Sequence, residues 1–438
     1  MGLAHRATNL TFVKRWIRRG LAAVAVGALA TSTLAPNAAA EYRREPMPMD
    51  KCAVNRPSSE SQVMNAWHLE RLRMNEVWRI ATGKGIKIAV IDTGLTTLGS
   101  PYFDPEKVTA FNLLPPADKD FADGLNCMHG TGVVSLIAAS RGSQGQIHPT
   151  TDFAGIAPDA DIVAYRTLYD NGEDESVLPM IMAIEDAIKQ KVDVINISQT
   201  VGAGDPHITQ LGQAVARALD AGIVVVAAAG NTETSGLQGP AYPASFPGVI
   251  SVGMINKTDA ADPGSWNMGP ITIGAPGTGL IFLSPSRARP NPSAQNQSFQ
   301  TADGTSYASP IVAGVVALML EQDRQINGAD SRMTPDAVRK RLIATADRPA
   351  STIPDKRIGF GIINPMAALV GPAPAPSNDV TSSPIYPTPF QPKDRGDQRP
   401  VQLGLGLAVG AVSITALGLV AAIAIPAAVR RNGGHEAP

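Results

Sequence analysis

Charge, aromatic rings and cysteine are all scarce in this sequence. Only 17% of the 438 residues are charged, the formal net charge is −1, and no basic tract lies outside the two ends. A phosphate backbone is neutralised by such tracts, so nucleic acid is excluded as a partner. Two cysteines and six histidines provide no Cys/His set with zinc spacing. No tight carboxylate cluster marks a calcium loop either, which leaves only backbone carbonyls for that ion. No metal site and no cofactor are expected. No internal repeat is visible, which excludes solenoid architectures.

The charge that is present marks the ends of the chain. Arg6, Lys14, Arg15, Arg18 and Arg19 precede an apolar run from Leu21 to Leu34 and the small residues Asn37-Ala38-Ala39-Ala40. This is the layout of a secretory signal peptide over residues 1–40, with cleavage after Ala40, because the run falls short of the ~20 residues a span needs. Val401 to Val429 carry no charge, and Arg430 and Arg431 follow at once. That stretch reads as one transmembrane helix over 401–429. The positive-inside rule then makes 430–438 a cytoplasmic tail and leaves everything from Glu41 to about Pro400 outside the cell membrane. Residues 371–400 are rich in proline and poor in large aliphatics, the composition of an extended linker. In an exported chain Cys52 and Cys127 can form one disulfide, and two free buried thiols are the alternative. Such a bridge would tie an N-terminal extension, 41–60, to the loop that ends at His129.

Residues 61–370 read as one large domain in which short apolar runs alternate with helical patterns. Strands are expected at Ile86–Ile91, Ile162–Arg166, Val194–Ser198, Ile223–Ala228 and Val249–Val252. Helices are expected at Thr131–Ser140, Val177–Lys191, Gln210–Ala221, Ser306–Gln322 and Pro335–Ala346, the last capped by Thr334. Alternation of this kind gives an α/β fold, and continuously apolar strands give a mainly parallel sheet with helices on both faces. Ligands in such sheets sit beyond the carboxyl ends of the strands.

Four segments place reactive groups there. Asp92 follows a strand and leads into Thr93-Gly94. His129 opens His129-Gly130-Thr131-Gly132, a setting that none of the histidines at 5, 68, 148, 207 and 435 shares. Ser306, in Gly304-Thr305-Ser306-Tyr307-Ala308-Ser309-Pro310, begins a long apolar helix whose N-terminus favours developing negative charge. Asn231 ends the buried segment Ala227-Ala228-Ala229-Gly230-Asn231 and can donate to an oxyanion through its amide. Taken singly, a strand-end Asp or Asn is usually a turn residue and a helix-start Ser usually a cap. Together, in the order Asp, His, Asn, Ser, they describe nucleophilic acyl transfer.

At these residues the chain resembles the subtilisin-like serine proteases, over Trp67 to about Ala368. The motifs are AVIDTG at 89–94, HGTG at 129–132, GIAPDA at 155–160, AAAGN at 227–231, GTSYASP at 304–310, and Gly359-Phe360-Gly361 with Asn364. The resemblance implies a serine endopeptidase in which Ser306 attacks, His129 is the general base, Asp92 orients it, and Asn231 binds the oxyanion. It also implies that an extended peptide lies beside Ser198-Gln199-Thr200, where Gln199 and Thr200 replace the family's usual Leu and Gly. The whole architecture, from signal peptide to transmembrane helix, is similar to that of the mycosins. That likeness implies a place beside the membrane complex of a type VII secretion system. Protein substrates exported by the system, and membrane lipid around the C-terminal helix, would then be the partners. A structural role in the complex, with proteolysis dispensable, is the second function this likeness allows. From Glu41 to the first strand there is too little chain for the family's usual folded pro-domain.

Overall fold

In the computed structural model, residues 44–53, 66–98, 100–114, 125–141, 153–169, 177–233, 237–285, 298–349 and 352–371 are described. The expected signal peptide, the transmembrane helix and tail, all of the linker but Gly371, and the segments 142–152 and 286–297 lie outside them. The chain divides into two units, 1–378 and 379–438, and every described residue belongs to the first. Among the described residues no helix is long and apolar enough to cross a membrane.

Eight strands form the main sheet: β1 (Glu45–Pro46), β2 (Lys87–Asp92), β3 (Val108–Asn112), β4 (Asp161–Arg166), β5 (Val194–Ile197), β7 (Val224–Ala228), β9 (Ile250–Ile255) and β10 (Ile273–Pro276). Their order is β1-β3-β4-β2-β5-β7-β9-β10. All neighbours are parallel except β1, which runs antiparallel to β3. Side chains alternate between faces along a strand, and here both faces are dry. Ile88, Val90, Val194, Val224 and Val226 enter one core, while Ala89, Ile91, Ile195, Ile197, Val225 and Ala227 enter the other. This is why the strands read as continuous apolar runs rather than as alternating ones.

Helices α3 (Met128–Ala138) and α6 (Thr305–Asn327) cover the first core, and α4 (Leu178–Lys189) and α5 (Ile208–Asp220) cover the second. From Thr305 to Glu321 only Ser306 escapes full burial in α6, as expected of a helix that is apolar all round. Helix α7 (Pro335–Thr345) begins as expected, with Thr334 Oγ1 accepting from the Ala337 N–H at 3.2 Å. The five expected strands and five expected helices are all present, with ends shifted by a few residues.

The departures have physical reasons. Strand β3 was not expected, because its residues are half-exposed beside the sheet edge and lack a continuous apolar signature. Strand β10, Ile-Gly-Ala-Pro, is too short and too rich in turn residues to be seen. Strand β12 (Ser298–Ala302), which was not expected either, pairs antiparallel with β11 (Leu280–Ser284). A further small pair joins β6 (Val201–Gly202) to β8 (Ala241–Tyr242). Helix α3 starts three residues before the expected Thr131, so His129 lies in its first turn. Gly130 and Gly132 weaken the helical signal, but both are needed for close packing. A Cβ on Gly130 would stand 1.9 Å from the Gly94 carbonyl oxygen.

The N-terminal segment is built onto the same edge. Cys52 and Cys127 are joined as a disulfide, closing 75 residues of chain, which removes the reading of two free thiols. The Met47 side chain reaches Gly94, where an added Cβ would meet Met47 Cε at 2.8 Å. At the far end, helix α8 (Pro365–Val370) is capped by Asn364, whose Oδ1 accepts from the Ala367 N–H at 2.9 Å. Arg341 of α7 donates to the carbonyls of Ala368, Leu369 and Gly371, the last two at 3.0 and 2.9 Å.

Candidate active site

Strand β2 delivers Asp92 at its carboxyl end, and the chain turns at Gly94 with φ of 88°, a conformation glycine adopts without strain. The contact between Gly94 and Gly130 brings the N-terminus of α3 against this turn. Thr93 Oγ1 then accepts from the Gly130 N–H at 3.0 Å. His129 is thereby placed over Asp92. Its Nδ1 lies 2.8 and 3.0 Å from the two Asp92 oxygens, and its Nε2 lies 3.0 Å from Ser306 Oγ. A carboxylate only accepts, so Nδ1 carries a proton and Nε2 of the neutral ring is free to accept from the serine hydroxyl. The Asp92 side chain is 2% exposed and that of His129 is 24% exposed, so the carboxylate is shielded while the imidazole meets solvent. Asp92 Oδ1 also accepts from the Thr93 N–H at 2.7 Å.

Ser306 occupies the second position of α6, where backbone N–H groups have no intrahelical partner. The turn at Gly304 is open only because it lacks a side chain; an added Cβ would lie 3.1 Å from Ser306 Oγ and 3.6 Å from Asn231 Nδ2. Asn231 is oriented by Thr305, whose N–H and hydroxyl both donate to Asn231 Oδ1 at 3.0 and 3.1 Å. This fixes which end of the amide is nitrogen and turns Nδ2 outward as a donor. The Ser306 N–H and Asn231 Nδ2 have no protein acceptor among the described residues. They make a pair of donors beside the Ser306 hydroxyl oxygen.

Two cavities flank this centre. One, of about 220 Å³, is lined by His129, Thr93, Thr167, Leu168, Met180, Gln199 and Thr200 among others. The other, of about 320 Å³, opens beside Asn231 and Gly304 and carries Glu233, Asp262 and Asp303. Gln199 lies in the first, donating Nε2 to Thr167 Oγ1 at 2.9 Å. Ser198 lines the same cavity. Its hydroxyl is buried between Asn196 Nδ2 at 2.9 Å and Ser309 Oγ at 3.1 Å, linking β5 to α6. Its side chain therefore braces β5 against α6 at the cavity wall, beside Gln199 and Thr200. His68, by contrast, is buried in α1 (Trp67–Arg71) with neither ring nitrogen bonded, and burial holds its pKa down at about 3. Among the described residues no group of His, Cys, Asp and Glu is arranged to hold a metal.

The roles of Thr305 and Thr93 as orienters were not read from the sequence. Both sit inside the recognised motifs, but only the folded contacts distinguish them from ordinary turn residues.

The profile of the Subtilase family matches residues 83–361. Mycosin-1 of Mycobacterium tuberculosis (strain ATCC 25618 / H37Rv) is 30% identical over 83% of this chain and 84% of its own. The crystal structure of MycP1 from Mycobacterium smegmatis superposes with a TM-score of 0.58 at 26% identity, covering 77% of this chain and 93% of that one. A chain of an intact ESX-5 inner membrane complex gives a TM-score of 0.56 at 26% identity, covering 85% and 94%. The chain belongs to the subtilase family, is a homologue of the mycosins, and is a serine endopeptidase.

Proposed function

We propose that Asp92, His129 and Ser306 are the catalytic triad of this endopeptidase and that Asn231, with the Ser306 N–H, binds the oxyanion. The observation that carries the reading is the continuous hydrogen-bonded path from Asp92 through His129 to Ser306 Oγ. His129 Nε2 takes the Ser306 proton as Oγ attacks the scissile carbonyl. Asp92 holds the ring in the required tautomer and stabilises the imidazolium. Negative charge on the carbonyl oxygen is met by Asn231 Nδ2 and the Ser306 N–H. His129 then gives its proton to the leaving amine, and a water, deprotonated by the same ring, releases the acyl group.

In the same proposal, residues 61–370 form the catalytic domain behind a signal peptide, and 41–60 wrap it. The linker 371–400 tethers it to a single transmembrane helix, 401–429, so that it acts outside the cell membrane. The partner is the membrane complex of a type VII secretion system, and the substrates are proteins it exports. Support comes from the apolar run before Arg430 and Arg431 and from the likeness to a chain of the ESX-5 inner membrane complex. That likeness also favours a second role, as a structural member of the assembly. Reaction with a fluorophosphonate probe tests the chemistry: the wild-type chain should be labelled on Ser306, and Ser306→Ala should not be labelled. Comparing secretion in a Ser306→Ala strain and in a strain lacking the chain separates the two roles. Loss in both makes proteolysis necessary, and loss only in the second makes the scaffold sufficient.

A further inference from the structure

The residue after Ser306 is an aromatic ring in the first turn of α6, a position where helix propensity gives it no advantage. Tyr307 is 6% exposed. Its ring lies against the His129 imidazole, with centroids 4.9 Å apart and planes inclined by 48°. Phe282, from β11, also stacks on the Tyr307 ring, with centroids 4.9 Å apart and planes inclined by 16°. Phe282 is itself fully packed, and a Cβ on Gly132 would meet its ring at 2.5 Å. Gly132 belongs to α3, the helix that carries His129. The contacts therefore close on themselves, from His129 along α3 to Gly132, to Phe282, to Tyr307 and back to the imidazole.

Two hydrogen bonds alone do not fix an imidazole. Nδ1 is held by Asp92 and Nε2 meets Ser306 Oγ, and rotation about the line joining those two nitrogens stretches neither bond greatly. A ring against the side of the imidazole opposes that rotation, provided something rigid stands behind it. Interiors are packed densely enough to transmit such a constraint.

We propose that Tyr307, backed by Phe282, is a positioning residue of the peptidase: its ring fixes the tilt of His129 so that both imidazole nitrogens stay on line with Asp92 and Ser306. The inference rests on the reading of His129 as general base. It makes the ring, and not the phenolic hydroxyl, the part that matters.

The test uses the purified full chain and its rate of labelling by a fluorophosphonate probe, resolved into the maximal rate and the half-saturating concentration. Tyr307→Phe should label within about twofold of wild type. Tyr307→Leu should lose roughly 10- to 100-fold in the maximal rate, the scale of an ångström's misplacement, with half-saturation unchanged. Its far-downfield His129 ring-proton resonance should broaden through exchange. A folded Tyr307→Leu protein labelling at the wild-type rate would overturn the proposal. So would a Tyr307→Phe protein as slow as Tyr307→Leu. If Tyr307→Leu does not fold, Phe282→Leu decides, because a slower maximal rate supports the backing role and an unchanged rate overturns it. Ser306→Ala keeps the two readings apart: labelling that survives it refutes the nucleophile itself, whatever the Tyr307 variants do.

Discussion

Asn231, half-buried, and His68, fully buried, show how differently two polar side chains can be used. The Asn231 carbonyl is occupied twice by Thr305, so its amide nitrogen is held in place before any charge develops. Donors preorganised in this way are worth most in the transition state. Asn231→Ala is expected to lower turnover by ~10²–10³ with little effect on KM, which steady-state kinetics on a cleaved peptide would check. His68 has no partner at either nitrogen. With its pKa depressed from 6.5 to about 3, the folded protein stays neutral there while the unfolded chain takes up a proton below pH 6.5. Stability from this group is complete above that value and falls as pH drops towards 3, by ~1.4 kcal/mol per pH unit. Between pH 7 and pH 5 the wild-type protein should lose about 2 kcal/mol that His68→Leu retains. Urea midpoints at the two pH values measure this, and equal losses in both proteins would refute it.

Elements are held by contacts far apart in sequence, and this decides what could be read beforehand. The strands β2, β5 and β7 were legible because each feeds two cores, and the motif residues Asp92, His129 and Ser306 because reactive side chains stood beside glycines. The pairing of β12 with β11 was not legible, since a segment of polar residues becomes a strand only when a partner is supplied. Nor were Tyr307 and Phe282, whose meaning lies in ring contacts between α6, β11 and α3. The Cys52–Cys127 bridge closes a long loop and should contribute about 2–4 kcal/mol, mainly by restricting the unfolded chain. Replacing both cysteines with alanine should lower the urea midpoint accordingly, and reductant should then have no further effect. Glu321 of α6 accepts from the backbone N–H groups of Thr82, Gly83 and Lys84 at 2.7, 2.6 and 3.1 Å, tying α6 to the turn before β2. Glu321→Ala orphans these donors and should cost about 3 kcal/mol. Fluorophosphonate labelling well below the melting temperature should be unchanged, because no part of the Asp92–His129–Ser306 path touches that turn.

At the scale of the whole molecule, chemistry and location are separable. The described residues end at Gly371, where the proposed tether begins. A chain ending at Gly371 is expected to leave the membrane fraction and to keep its labelling rate; fractionation of cells followed by probe labelling would show both. A truncated chain that stayed with the membrane would mean that another surface holds it. Arg341 gives this boundary a mechanical character. A pull along the proposed tether would reach the fold at the last turn of α8, where one guanidinium grips the carbonyls of Ala368, Leu369 and Gly371. Such a pull would load these bonds to α7 before α8 could come away from the fold.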